Sequence, residues 1–183
     1  MSKTPIFVHT PKCAGTSIIK SLGIQRCHHE RASVLLSRQD PKKPSFSFSF
    51  VRNPYSRIYS AYIYVITGKG NKRDTAFGKT LNKNYNLFIK DLYKEESIRN
   101  WLHFKPMSFW IDKKIDFIGR VENLHEDFNF VCSKLNKSAS LKHLNKSFSK
   151  ENPNLDECSI NLINDIYKED FLMFGYKMTS TKL

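Results

Sequence analysis

The sequence predicts a three-layer α/β domain with a central, largely parallel sheet flanked by helices. Three observations carry that expectation. Short apolar runs at 6–8, 46–51 and 116–121 have the length of strands, and each is followed by a segment whose apolar residues recur at helical spacing. Strands alternating with helices form parallel sheets, because a parallel pair needs a crossover, usually a helix, between its members. The chain has 183 residues, 40% of them hydrophobic and 13% aromatic, enough to bury one core and the size of a single domain spanning 1–183.

Taken in order, Ile6-Phe7-Val8 gives way to a loop holding Pro11 and Gly15, and residues 16–22 have helical character through Ile18, Ile19 and Leu22. Strand, glycine-containing loop and helix in succession make a phosphate-binding βα unit. In residues 46–51 phenylalanine alternates with serine up to the Phe50-Val51 pair. Such a strand has one face of large residues and one of small, tightly packed ones. Arg52-Asn53-Pro54 ends it and starts a helix: Asn53 is a good N-cap, and Pro54 fits the first helical position, where its missing N–H costs nothing. Tyr55, Ile58, Tyr59, Tyr62 and Val65 follow at helical spacing.

Residues 67–83 are basic and polar and contain Gly68, Gly70 and Gly78, which reads as a loop or mobile flap. Residues 85–96 return to helical periodicity through Phe88, Ile89 and Leu92. The strand at 116–121 leads into a helix over 123–135 with Leu124, Phe128, Val131 and Leu135 as its buried stripe. Residues 141–153 are polar and aperiodic. A last helix is expected over 156–170, and residues 171–176 read as a closing strand or packed tail. The chain contains no internal repeat, low-complexity tract or linker.

With 30 Lys and Arg against 17 Asp and Glu, the formal charge is +13, which favours anionic partners. Cys13, Cys27, Cys132 and Cys158 form no CxxC pair and no metal-ligand spacing, so they read as reduced thiols, and no bound metal is expected. The first residues lack the apolar stretch of a signal peptide, and no apolar run is long enough to span a bilayer. The expected location is a reducing cytoplasm, with no transmembrane segment.

The chemistry concentrates in two loops. Between the first strand and its helix, backbone N–H groups and the positive end of the helix dipole bind anions. Gly15 lets the backbone approach a ligand, Thr16 and Ser17 add hydroxyl donors, and Lys12 supplies a point charge. This is not the Walker pattern GxxxxGK[ST], since Lys12 precedes Gly15 instead of following it. In the second loop Arg52 stands at the carboxyl end of a strand, where ligands of α/β sheets bind. Its guanidinium can fork onto a phosphate. Ser56 and Ser60, four residues apart, share one face of the following helix, and Ser60 can donate to the same anion.

These residues resemble a known family. The run Ile6-Phe7-Val8-His9-Thr10-Pro11-Lys12-Cys13-Ala14-Gly15-Thr16-Ser17 is similar to the 5′-phosphosulfate loop of carbohydrate-type sulfotransferases, which use 3′-phosphoadenosine 5′-phosphosulfate (PAPS). Phe50-Val51-Arg52-Asn53-Pro54-Tyr55-Ser56-Arg57 through Ser60-Ala61-Tyr62 resembles their 3′-phosphate motif. Further likenesses are Phe117 through Leu124 with Asp127-Phe128, His143-Leu144-Asn145-Lys146-Ser147, and Ile166 through Phe171 with Phe174-Gly175-Tyr176. The resemblance covers nearly the whole chain.

It implies a P-loop-type form of the α/β fold. PAPS is the implied donor, bound by Lys12, Cys13, Ala14, Gly15, Thr16 and Ser17 at its 5′ end and by Arg52 and Ser60 at its 3′-phosphate. Asn145, Lys146 and Ser147 belong to a loop that in the family closes over the nucleotide. The implied acceptor is a carbohydrate or small-molecule hydroxyl. Two positions depart from the pattern: the glycine pair common in the first loop is Ala14-Gly15 here, and Cys13 stands where threonine is frequent. The chain is also shorter than many secretory-pathway members, and no membrane anchor of their kind is expected.

Sulfuryl transfer to a hydroxyl needs a base, and histidine can serve as one near neutral pH. Cys27-His28-His29-Glu30-Arg31-Ala32 resembles a family segment in which a histidine precedes an alanine by three residues, as His29 precedes Ala32. The catalytic residues expected are therefore His29 as base, with His28 second and Glu30 as an orienting or substitute carboxylate, and Lys12 for charge stabilisation. His9 is expected to shape the loop, and His103 and His125 to be structural.

Two other classes compete. A nucleotide-dependent kinase or hydrolase would need the Walker lysine and an acidic Mg²⁺ ligand after a strand, whereas Asp116 precedes its strand. A non-enzymatic polyanion or nucleic-acid binder would use the charge, but the basic stretches 69–83 and 134–150 hold few aromatics on which bases could stack.

Overall fold

The structure is a computed structural model that describes residues 3–25, 28–141 and 154–180. In chain order its elements are β1 (Thr4–Val8), α1 (Gly15–Leu22), α2 (Ala32–Ser37), β2 (Ser45–Val51), α3 (Pro54–Ile66), α4 (Lys72–Thr80), α5 (Tyr85–Lys94), α6 (Glu96–Arg99), α7 (Met107–Trp110), β3 (Phe117–Arg120), a 3₁₀ turn (Val121–Asn123), α8 (Leu124–Lys134), α9 (Glu157–Ile166) and α10 (Lys168–Phe174). The chain divides into two compact units, one of Met1–Arg52 with Met107–Lys146 and one of Asn53–Pro106 with Ser147–Leu183. Among the described residues no helix is long and apolar enough to cross a membrane.

The first unit holds a parallel sheet of order β1-β2-β3, flanked by helices. Register pairs Val8 with Ser49 and Val51 with Arg120, so the carboxyl ends of the strands lie together and the loops that follow them share one edge. The Phe-Ser alternation of β2 works as its pattern suggests. Phe46, Phe48 and Phe50 are buried on one face, and Ser47 and Ser49 are buried on the other. Both serines are satisfied: Ser49 Oγ donates to the Val8 carbonyl at 2.7 Å, and Ser47 Oγ donates to Asp116 at 2.7 Å. Gly119 lies against the Phe50 ring, where an added Cβ would come within 2.6 Å of a ring carbon.

The second unit is helical, with a core that includes Ile58, Tyr62 and Val65 of α3, Phe88, Ile89 and Leu92 of α5, and Ile163, Tyr167 and Phe171 near the end of the chain. Asn53 caps α3 as expected, accepting the Tyr55 N–H at 3.0 Å with Pro54 in the first turn. Arg57 is fully buried, its guanidinium carbon 5.0 Å from the Tyr167 ring centre and one nitrogen donating to the His103 carbonyl at 3.2 Å. His103 pairs with buried Asp74 at 3.3 Å, and Asp74 also accepts the indole N–H of Trp101 at 3.0 Å.

Two expectations are corrected in this unit. Residues 67–83 are not simply a loop: they contain α4, which Asn71 caps by accepting the Asp74 N–H at 2.9 Å. Gly78 serves packing rather than chain reversal, since a Cβ there would lie 2.1 Å from the Val65 carbonyl oxygen of α3. Of the strand or packed tail expected at 171–176, the strand does not form, and Phe171 and Phe174 are buried on a helix. The final helical stretch breaks at Tyr167, whose hydroxyl donates to the Phe104 carbonyl at 2.7 Å, and it resumes as α10, ended by Gly175 at φ 64°. Burial raises the Tyr167 phenol far above its ordinary range, so it stays neutral.

Candidate active site

The first loop is built by backbone hand. Thr10 turns the chain at the end of β1, its N–H donating to the Val8 carbonyl at 3.0 Å and its hydroxyl sharing a hydrogen bond with Ser49 at 3.0 Å. Lys12 and Ala14 then adopt the left-handed region, at φ 66° and 61°, whereas Cys13 and Gly15 do not. Alternation of hand between successive residues turns their N–H groups toward one side, the arrangement of an anion-binding nest. The loop runs directly into α1, at whose start no side chain forms a cap. The Ser17 N–H donates to the Ala14 carbonyl at 3.0 Å, and the N–H groups of Gly15 and Thr16, the first two of α1, adjoin the nest. Lys12 is half-buried, Thr16 exposed, and Cys13, Gly15 and Ser17 buried.

Gly15 also answers to a neighbour. An added Cβ would lie 2.1 Å from His9 Nε2, so glycine makes room for the His9 ring. That ring sits between two others, 5.5 Å from Phe7 and 4.0 Å from His29, centre to centre. The backbone carbonyl of His9 is 2.6 Å from His29 Nδ1. A carbonyl only accepts, so Nδ1 carries the proton, and in the neutral ring the lone pair resides on Nε2.

His28 is exposed, and Glu30 engages Arg38 through both carboxylate oxygens at 2.9 and 3.0 Å. The part expected of Glu30 in orienting the histidine is taken by a backbone oxygen.

Arg52 follows β2 directly, and its backbone N–H donates to the Met107 sulfur at 3.4 Å. The Cys13 sulfur lies 3.6 Å from the Pro11 carbonyl and 3.8 Å from the same Met107 sulfur. Ser60 belongs to the helical unit, half-buried on α3, where Ser56 donates to the Asn53 carbonyl at 3.1 Å. Asn145, Lys146 and Ser147 lie outside the described residues, as does Cys27. Among the described residues no group of three or more His, Cys, Asp or Glu could hold a metal ion.

A family model described as the sulfotransferase family matches residues 5–177. The chain belongs to the sulfotransferase family. It is also similar to an uncharacterized protein of Archaeoglobus fulgidus, 31% identical over 91 residues that make up 48% of this chain. The chain spans 65% of the length of that relative.

Sequence reasoning did not single out three residues of 107–112, one beside this sulfotransferase-family loop and two beside His29 and α2. Met107 touches both Cys13 and Arg52. Trp110 is buried with its ring centre 5.9 Å from that of His29. Asp112 holds the start of α2, three residues beyond His29: it accepts the Ser33 N–H at 2.8 Å and the Ser33 hydroxyl at 2.6 Å, and it pairs with Arg31 at 2.8 Å. Burial pushes the Asp112 carboxyl up, but the two Ser33 hydrogen bonds and the Arg31 charge outweigh it and hold the group below its ordinary value. None of these contacts is local, and neither motif nor periodicity signals them.

Proposed function

We propose that the protein is a sulfotransferase that takes a sulfuryl group from PAPS and delivers it to a carbohydrate or small-molecule hydroxyl, acting as one domain of P-loop type over 1–183. The observation that carries this reading is the alternation of backbone hand at Lys12, Cys13, Ala14 and Gly15, running into a helix start that no side chain caps. That cradle suits a terminal anion, and family membership supports reading the anion as a phosphosulfate.

Bound PAPS supplies the sulfuryl group, which passes to the acceptor oxygen as its bond to the 5′-phosphate oxygen breaks. Lys12 and the loop N–H groups stabilise the charge that gathers on that phosphate oxygen, with Cys13, Ala14, Thr16 and Ser17 completing the grip. His29 takes the acceptor proton on Nε2, and His9 fixes the tautomer by accepting from Nδ1. Arg52 and Ser60 take the 3′-phosphate, and Asn145, Lys146 and Ser147 close over the nucleotide, as the family likeness implies. His28 stands in reserve as the alternative base. By analogy with phosphoryl transfer, most of the acceleration comes from positioning and electrostatics. The working compartment in this reading is the cytoplasm.

The test is to offer labelled PAPS with a panel of sugars, simple alcohols and tyrosine peptides to the wild type and to Lys12→Ala. The reading expects label on a sugar or alcohol with the wild type, and its loss in the variant. A second reading, suggested by the +13 charge, is polyanion binding without catalysis. Salt-sensitive DNA affinity that survives in Lys12→Ala and Arg52→Ala, with no transfer to any acceptor, would favour it.

A further inference from the structure

Met107 opens α7 and is fully buried. Its thioether sulfur accepts the Arg52 backbone N–H at 3.4 Å and lies 3.8 Å from the Cys13 sulfur, whose one S–H also has the Pro11 carbonyl at 3.6 Å. Cys13 sits at the middle of the alternating-hand loop, between Lys12 and Ala14, and Arg52 directly follows β2. One side chain thus links the two segments to which the PAPS reading assigns the two ends of the nucleotide. Those ends, a 3′-phosphate and a 5′-phosphosulfate, hang on one ribose, so their separation varies little. Loops that grip both must be held at a matching spacing.

We infer that Met107 is a positioning residue that sets the spacing between the Lys12-Cys13-Ala14 loop and Arg52 for a nucleotide anionic at both its 3′ and 5′ ends. This rests on the PAPS reading. Methionine suits such a role because its unbranched chain fills an irregular gap and its polarizable sulfur accepts weakly from N–H and S–H donors. Leucine has a similar volume and no acceptor. A methionine that merely filled the core would be replaced by leucine without any preference among ligands. A spacing residue discriminates, because only a ligand that bridges both segments gains from their being held in register, by the logic of effective concentration.

The experiment is calorimetric titration of the wild type, Met107→Leu and Cys13→Ala with adenosine 3′,5′-bisphosphate, adenosine 5′-monophosphate and adenosine 3′-monophosphate, with a thermal melt of each protein. The expected result is a melting temperature for Met107→Leu close to that of the wild type and unchanged affinity for each monophosphate. The bisphosphate should bind about three- to tenfold more weakly, the worth of one modest hydrogen bond. Equal weakening for all three ligands, or none for the bisphosphate, overturns the inference. If Met107→Leu does not fold, Cys13→Ala removes the other side of the contact: a loss larger for the bisphosphate than for adenosine 5′-monophosphate supports the inference, and equal losses overturn it. A wild type that does not bind the bisphosphate at all overturns the PAPS reading and this inference together.

Discussion

His29 presents Nδ1 to the backbone carbonyl of His9 at 2.6 Å, and the two imidazole centres are 4.0 Å apart. The residue that follows β1 therefore fixes the tautomer of a histidine twenty positions later. A backbone acceptor cannot be titrated away, so it holds the ring through the whole pH range in which imidazole works. His29→Ala is expected to lower kcat about 10²–10⁴-fold, the range for losing a general base, with the KM for PAPS nearly unchanged. Steady-state kinetics with varied donor check this; an unaltered kcat would remove His29 from the chemistry.

Gly15→Ala tests the packing of the same pair. The new Cβ would fall 2.1 Å from His9 Nε2, and the His9 ring, placed between Phe7 and His29, has little room to yield. The expected cost is about 1–3 kcal/mol of stability from overpacking, together with weaker donor binding. Chemical denaturation and donor titration read the two effects. Wild-type values for both would mean that the loop repacks freely.

Ala14→Gly is expected to move the other way. Ala14 sits at φ 61°, where a Cβ costs roughly 1–2 kcal/mol, while glycine's extra freedom in the unfolded chain returns roughly 0.5–1 kcal/mol of that. The net expectation is stabilisation of about 1 kcal/mol, visible as a raised denaturation midpoint. The left-handed backbone also accounts for the glycine that the family likeness leads one to expect at this position.

Asp112 gives the first unit an acid-sensitive tie. Burial raises its carboxyl, but the Ser33 hydrogen bonds and Arg31 prevail, so the folded group titrates below its ordinary value of 3.8. The sign follows directly: the stability it contributes is complete above the unfolded value, and it is lost as pH falls from there through the lower folded value. Asp112→Asn should be less stable than the wild type at neutral pH, and the gap should narrow as pH falls below about 4. Denaturation midpoints measured between about pH 3 and 7 check this; a gap independent of pH would assign the effect to shape rather than charge.

The sequence made β1, the loop after it, β2 and the capped start of α3 readable, because each is specified by neighbours: an apolar run, a glycine, a Phe-Ser alternation, an Asn-Pro pair. It misled at α4, where few apolar residues and Gly78 resemble a loop. There the glycine answers to the Val65 carbonyl of another helix. At 171–176 it left a strand open beside a packed tail, because the helical stretch breaks at Tyr167, whose partner Phe104 is 63 residues away. The site divides in the same manner. Lys12, Gly15 and Arg52 stand in local motifs. Met107 and Asp112 reach Cys13 and Ser33 across 94 and 79 residues, and only the folded chain brings them there.

Above all, the cradle at 12–17 and Arg52 should together recognise a nucleotide with anionic groups at both its 5′ and 3′ ends. Calorimetry of the wild type with adenosine 3′,5′-bisphosphate and, separately, with ATP and Mg²⁺ decides the matter. The bisphosphate is expected to bind without added metal, much more tightly than ATP, and to lose its affinity in both Lys12→Ala and Arg52→Ala. Preferential, magnesium-dependent binding of ATP would contradict it.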